Sequence, residues 1–134
     1  MASYVPDSNI ISYILSKDVR VVPRLDELFA RSDKVVICPV VFFEIRRGLL
    51  WKGAARKLRE FELLMLYLVW DEFQADDWER ASTLWAESAR LGAAKTDADI
   101  LIAAHALRLG ATLVTDNEDH FRHLGVPVEN WCRP

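Results

Sequence analysis

Asp7, Glu44, Asp99 and Asp116 fall where an apolar stretch of strand character ends or where the following helical pattern begins, and they are spread along almost the whole chain. In an open parallel α/β sheet such positions converge, because ligands occupy the crevice beyond the carboxyl ends of the strands. Carboxylates gathered there repel one another, which raises their pKa values or drives them apart unless a cation sits between them. Hard oxygen donors favour Mg²⁺ or Mn²⁺, and Mg²⁺ commonly takes one or two carboxylates together with waters and substrate phosphates. The chemistry this pattern points to is metal-centred cleavage of a phosphodiester.

Each acid also has an ordinary structural use. Asp7 suits a helix N-cap, worth about 1 kcal/mol without any chemistry. Glu44 could be an exposed helical acid, but Phe43 and Ile45 beside it leave no clean polar face, and burying a lone carboxylate is costly unless it is paired or coordinated. Asp97 and Asp99 compete for one role in the first turn of a helix, where the macrodipole favours negative charge. Asp97 reads as a cap or outer residue, and Asp116 has the alternative of a simple turn aspartate. Ser8 and Thr115 are candidate helpers whose hydroxyls could orient a ligand. His105 reads as structural, and neither it nor His120 and His123 falls at a metal-ligand spacing. No Ser–His–Asp or Cys–His arrangement competes, and no phosphate-cradling GxxxxGK[ST] loop is present.

The elements that must position these acids follow from the apolar periodicity. Tyr4–Val5 reads as a first strand running into the turn Pro6–Asp7–Ser8–Asn9, with Ile10, Ile11, Tyr13, Ile14 and Leu15 at helical spacing after it. Pro23 through Ala30 reads as a helix opened by proline, and KVVIC, residues 34 to 38, as a buried strand stopped by Pro39. The segment from Val40 to Leu50 is helical, with Glu44 about one turn inside and Val41, Phe42, Ile45 and Leu49 on one stripe. Ala54 to Leu66 continues as helix, and the apolar, β-branched and aromatic run Leu66–Trp70 reads as a third strand. Asp76 to Leu91 is a helix burying Trp78, Ala81, Leu84, Trp85 and Ala89, ended by Gly92. Thr96 then caps a central helix that opens at Asp99, Gly110 closes it, and strands follow at Ala111–Thr115 and Val126–Val128.

With 134 residues and 15.4 kDa the chain fits one domain, residues 1 to 134. A hydrophobic share of 51% against 28% charged supplies a real core and excludes intrinsic disorder. No apolar run reaches the ~20 residues of a membrane span and the start lacks a signal-peptide pattern, so a cytoplasmic protein is expected. Cys38 and Cys132 form no metal-binding pattern and both read as reduced, Cys38 in a buried strand. The tryptophans, Trp51, Trp70, Trp78, Trp85 and Trp131, read as core or dimer-interface residues, with base stacking by Trp51 a lesser alternative. A net charge of −3 argues against coating nucleic acid by bulk electrostatics, yet RRGLLWKGAARKLR, residues 46 to 59, is basic without an acid.

Four segments in order, PDSNIISYIL, VVFFEIRRG, TDADILIAAHAL and ATLVTDNEDHF, resemble the PIN-domain ribonucleases, and within them the VapC-type toxins of prokaryotic toxin–antitoxin pairs. The resemblance covers nearly the whole chain. It implies an α/β fold, a PIN-like three-layer sandwich with a parallel sheet of about five strands flanked by helices. It also implies an acidic pocket that binds Mg²⁺ or Mn²⁺ and cleaves RNA. The family's motif acids match Asp7, Glu44 and Asp99, and its fourth position matches Asp116, with Asn117 and Asp119 as alternatives. Asp7 and Asp99 would hold the metal, with Glu44 and Asp116 as second-site ligands or water-orienting groups. Arg46 and Arg47 are the candidate RNA contacts, and Thr115, Asn117 and Asp97 secondary site residues. The implied partners are an RNA substrate, a cognate antitoxin and a second copy in a homodimer. A PIN-type nuclease acting in RNA processing without an antitoxin, and a non-catalytic binding module, are the alternatives.

Overall fold

The short β-branched and apolar runs of the sequence are too brief to be helices and pair instead as a five-stranded, all-parallel sheet in a computed structural model that describes residues 1–134. The strands are β1 (Ser3–Pro6), β2 (Lys34–Ile37), β3 (Val69–Trp70), β4 (Thr112–Val114) and β5 (Val128–Glu129), in the order β3-β2-β1-β4-β5. Six helices flank them: α1 (Ser8–Leu15), α2 (Val22–Ala30), α3 (Pro39–Trp51), α4 (Ala55–Met65), α5 (Ala75–Arg90) and α6 (Asp97–Leu109). A 3₁₀ turn at Glu118–Phe121 lies between β4 and β5.

Register places Tyr4 beside both Val35 of β2 and Thr112 of β4, so β1 is the central strand. The chain winds outward from β1 through β2 to β3, then returns to the other side of β1 to build β4 and β5. That reversal makes a switch point between β1 and β4, the place where an open parallel sheet leaves a crevice.

The central helix is α6. Ile100, Ile102, Ala103, Ala104, His105 and Ala106 are all buried, as its apolar surround predicts. Thr96 Oγ1 accepts the Asp99 backbone N–H at 3.2 Å, and Gly110 ends the helix in the left-handed conformation, φ 61°. Pro39 opens α3 directly after β2, where its missing N–H costs nothing. Cys38 is buried at that junction, and burial pushes its thiol up to about 12, so it stays protonated and inert. Cys132 is also free.

The sequence reading departs from the structure at three elements, the last strand among them, which runs over Val128–Glu129 rather than Val126–Val128. The third strand is only Val69–Trp70; Leu66 and Tyr67 belong to the turn after α4 and are exposed. On α5, Trp78 and Trp85 are exposed rather than buried, because the face that meets α6 carries Asp77, Ala81 and Ser88. Of the five tryptophans only Trp131 is in the core.

Candidate active site

Asp7 sits at the seam between sheet and helix. Its N–H donates to Val114 O at 2.8 Å, extending the β1–β4 ladder, and its carbonyl accepts from Ile10 and Ile11 to start α1. Its side chain is therefore aimed by backbone on both sides. Oδ1 accepts the Ser8 N–H at 2.7 Å, while Oδ2 accepts the Thr115 hydroxyl at 2.9 Å and the Asn9 amide at 3.3 Å. The carboxylate is 6% exposed. Burial pushes its pKa up, the Ser8 N–H and the Thr115 hydroxyl pull it down, and the charges of Asp99 and Glu44 push it up again; the net direction is upward.

Asp99 and Glu44 thus stand close enough to act on Asp7 electrostatically. Asp99 lies in the first turn of α6, and its Oδ2 is 3.3 Å from Nδ1 of His120 in the 3₁₀ turn. Glu44 faces α1 from α3, where its Oε1 accepts the Ser8 hydroxyl at 2.7 Å. Asp116 follows β4 on the opposite rim. Its Oδ2 accepts the Tyr13 hydroxyl at 2.9 Å, its Oδ1 the Asn130 amide at 3.3 Å, and its N–H donates to Asn9 Oδ1 at 3.2 Å.

Asn9 consequently joins the two rims, touching Asp7, Thr115 and Asp116. Sequence reasoning missed Asn9, Tyr13, Asn130 and His120. Only Asn9 left a local signal, an amide two residues after the strand-ending aspartate. The other three reach the site through contacts distant in sequence. Among the secondary candidates, Asn117 is exposed and donates its N–H to Thr115 Oγ1, Asp119 is exposed on the 3₁₀ turn, and Asp97 is exposed and lines an apolar groove with Trp78 and Trp85.

No lysine or arginine pairs with Asp7, Glu44, Asp99 or Asp116; the nearest basic partner is His120. Nor do three or more acid, His or Cys side chains close into a ready-made metal cage. An open set of carboxylate oxygens with one buried anion and two neighbouring charges suits a hard divalent ion that keeps several waters and shares phosphate oxygens. The donor chemistry fits such an ion.

An open parallel sheet whose switch point carries these carboxylates defines a class of acidic-pocket α/β proteins. The chain belongs to the PIN domain family, whose pattern matches residues 4–127. It is 28% identical over 130 residues to Ribonuclease VapC2 of Rickettsia felis, covering 96% of this chain and 97% of that protein. Its fold matches VapBC2 from Rickettsia felis, solved bound to a DNA fragment from their promoter, with a TM-score of 0.88 and 26% identity over 96% of this chain and 98% of that one. DNA-bound VapBC from Salmonella typhimurium shares the fold at a TM-score of 0.86, with 24% identity over 98% of this chain and 100% of that one.

Proposed function

We propose that the chain is a Mg²⁺- or Mn²⁺-dependent endoribonuclease acting as the toxin of a toxin–antitoxin pair, built as one PIN domain over residues 1 to 134. The observation that carries the reading is Asp7, a buried carboxylate at the β1/β4 switch point under the charge of Asp99 and Glu44 with no basic side chain to compensate it. The similarity to Ribonuclease VapC2 supports the reaction class, and the likeness to VapBC2 supports a protein partner.

Asp7 and Asp99 would hold the ion, with Glu44 and Asp116 as second-site ligands or as groups that orient the attacking water. When bound, such an ion supplies a water acidified toward neutral pH and offsets charge on the leaving oxygen. The chain's own contribution is alignment. Ser8, Asn9 and Thr115 fix the Asp7 carboxylate, Ser8 also fixes Glu44, and Tyr13 with Asn130 fix Asp116. Asp7, Glu44 and Asp116 are thus held in place before substrate arrives, which is how positioned groups lower a barrier. Arg46 and Arg47 are exposed on α3, with Arg47 stacked 4.8 Å over Phe43, and would hold flanking backbone phosphate. The pocket that draws a metal ion would equally accept a basic side chain from an antitoxin, and exposed Trp51, Trp78 and Trp85 offer apolar area to a second copy.

The test is cleavage of a panel of structured and single-stranded RNAs with Mg²⁺ or Mn²⁺, with EDTA, and by Asp7→Asn and Asp99→Asn. Metal-dependent cutting lost in both variants is the expected result. Cutting that survives in both variants would sink the assignment.

A further inference from the structure

A groove of about 480 Å³ leads away from Glu44 between α1 and α3. Glu44 and Gly48 stand at successive turns of α3, and Lys52, its C-cap residue, follows one turn further on, opposed by Ser8 and Ser12 at successive turns of α1. Lys57 reaches in from α4, with its Nζ donating to Ser16 Oγ at 3.4 Å just past the end of α1. The eight-residue step from Glu44 to Lys52 spans about 12 Å of helix.

Two features of this groove are not accounted for by packing or by ion pairing within the fold. Lys52 and Lys57 are exposed where they line the groove, and neither has a carboxylate within ion-pair distance. Gly48 lies inside α3, where glycine weakens a helix, yet a Cβ there would meet nothing within 4 Å. Packing does not require the missing side chain. Its absence keeps the groove floor open one turn from the candidate active site.

We infer that this groove carries the RNA backbone flanking the scissile phosphate, with Lys52 and Lys57 holding phosphate oxygens, Ser12 donating to the strand, and Gly48 leaving the room it needs. The inference rests on the ribonuclease reading and adds the path of the substrate. Ammonium and hydroxyl donors are the groups that hold phosphate and sugar. Apolar side chains line the groove as well, Leu15 and Ile45 buried and Leu49 and Ala54 half-buried, but Glu44 at its head is the one acid in the lining, so the cationic donors beyond it favour an anionic strand.

The experiment follows steady-state cleavage of whichever panel RNA the full chain cuts, across a series of salt concentrations. Single-strand contacts contribute a salt slope of about 0.7 each, so Lys52→Ala with Lys57→Ala should raise KM and flatten the slope of log KM by about 1.4, with kcat unchanged. Gly48→Leu should raise the melting temperature, since leucine is the better helix former, while raising KM. A wild-type slope in the double lysine variant, or an unmoved KM in Gly48→Leu, overturns the path and leaves the nuclease standing. A fall in kcat alone overturns it too. Absence of any metal-dependent cutting by the wild-type chain removes both readings. If poly-glutamate protects the wild type but not the double variant from thermal unfolding while KM for RNA is unmoved, the groove belongs to an acidic protein segment instead.

Discussion

Asp7 combines a structural role with the chemical one proposed for it. As an N-cap it starts α1, and as a carboxylate with a pKa raised by burial and by Asp99 and Glu44 it burdens the metal-free fold. The folded chain holds that proton more tightly than the unfolded chain, so between the ordinary value of 3.8 and the raised one the native state binds more protons. Stability of the metal-free chain therefore falls as pH climbs through that window, and the deficit is fully present above it. Asparagine caps a helix as well as aspartate does and carries no charge. Asp7→Asn should thus be inactive yet melt higher than wild type in EDTA at neutral pH, with the gap closing in acid. Melting curves from pH 3 to 8 check this; a gap that stays constant with pH would mean that the Asp7 charge is not the burden. The acids at strand ends were legible in the sequence because the strand-to-helix junction is a local pattern. The His120–Asp99 and Tyr13–Asp116 contacts were not, since nothing local records which side chains meet across the crevice.

At the scale of elements, α6 carries Asp99 at its start and is anchored near its end. The Arg108 Nε donates to Asp77 Oδ1 at 2.8 Å, and its NH2 group pairs with Asp71 and bonds Glu72 O. His105 Nε2 meets Asp71 O at 3.0 Å, which assigns it the proton and leaves buried Nδ1 without a partner. Burial pushes the Asp71 carboxyl up, but Arg108 and His105 more than offset it and hold it below its usual value. This latch explains why periodicity misplaced the α5 tryptophans. The α5 face turned to α6 contains Asp77, buried at 1% and held by Arg108, a charged position that hydrophobic patterning assigns to solvent. Arg108→Met would strand a buried anion, a change that costs about 3–5 kcal/mol; the lower end is expected because the Arg108 and Asp71 side chains remain 24% and 31% exposed. Urea unfolding of Arg108→Met, and of the same variant combined with Asp77→Leu, decides the point. The double variant should recover most of the loss, and a single variant within 1 kcal/mol of wild type would show that the latch carries no weight.

Over the whole molecule, the candidate site is assembled from β1, α3, α6 and the exit of β4, elements that only the complete sheet brings together. The succession of strands and helices along the chain was legible, whereas the winding that puts β1 at the centre rests on long-range pairing. No helix is long and apolar enough to cross a membrane. A site that exists only in the folded sheet cannot be filled in the unfolded chain, so an ion bound there must stabilise global folding rather than one loop. At an ion concentration near 100 times its Kd the gain is about 2.7 kcal/mol, enough to move the melting temperature by several degrees. Mg²⁺ or Mn²⁺ should therefore raise the melting temperature of the wild-type chain over its value in EDTA, and Asp99→Asn should lose most of that rise. Because Asp7→Asn removes the anionic burden as well as a proposed ligand, it should melt high without metal and respond little when metal is added. The two variants separate repulsion from ligation. Equal melting of the wild-type chain with and without millimolar ion would leave the acids as structural residues and remove the metal from the mechanism.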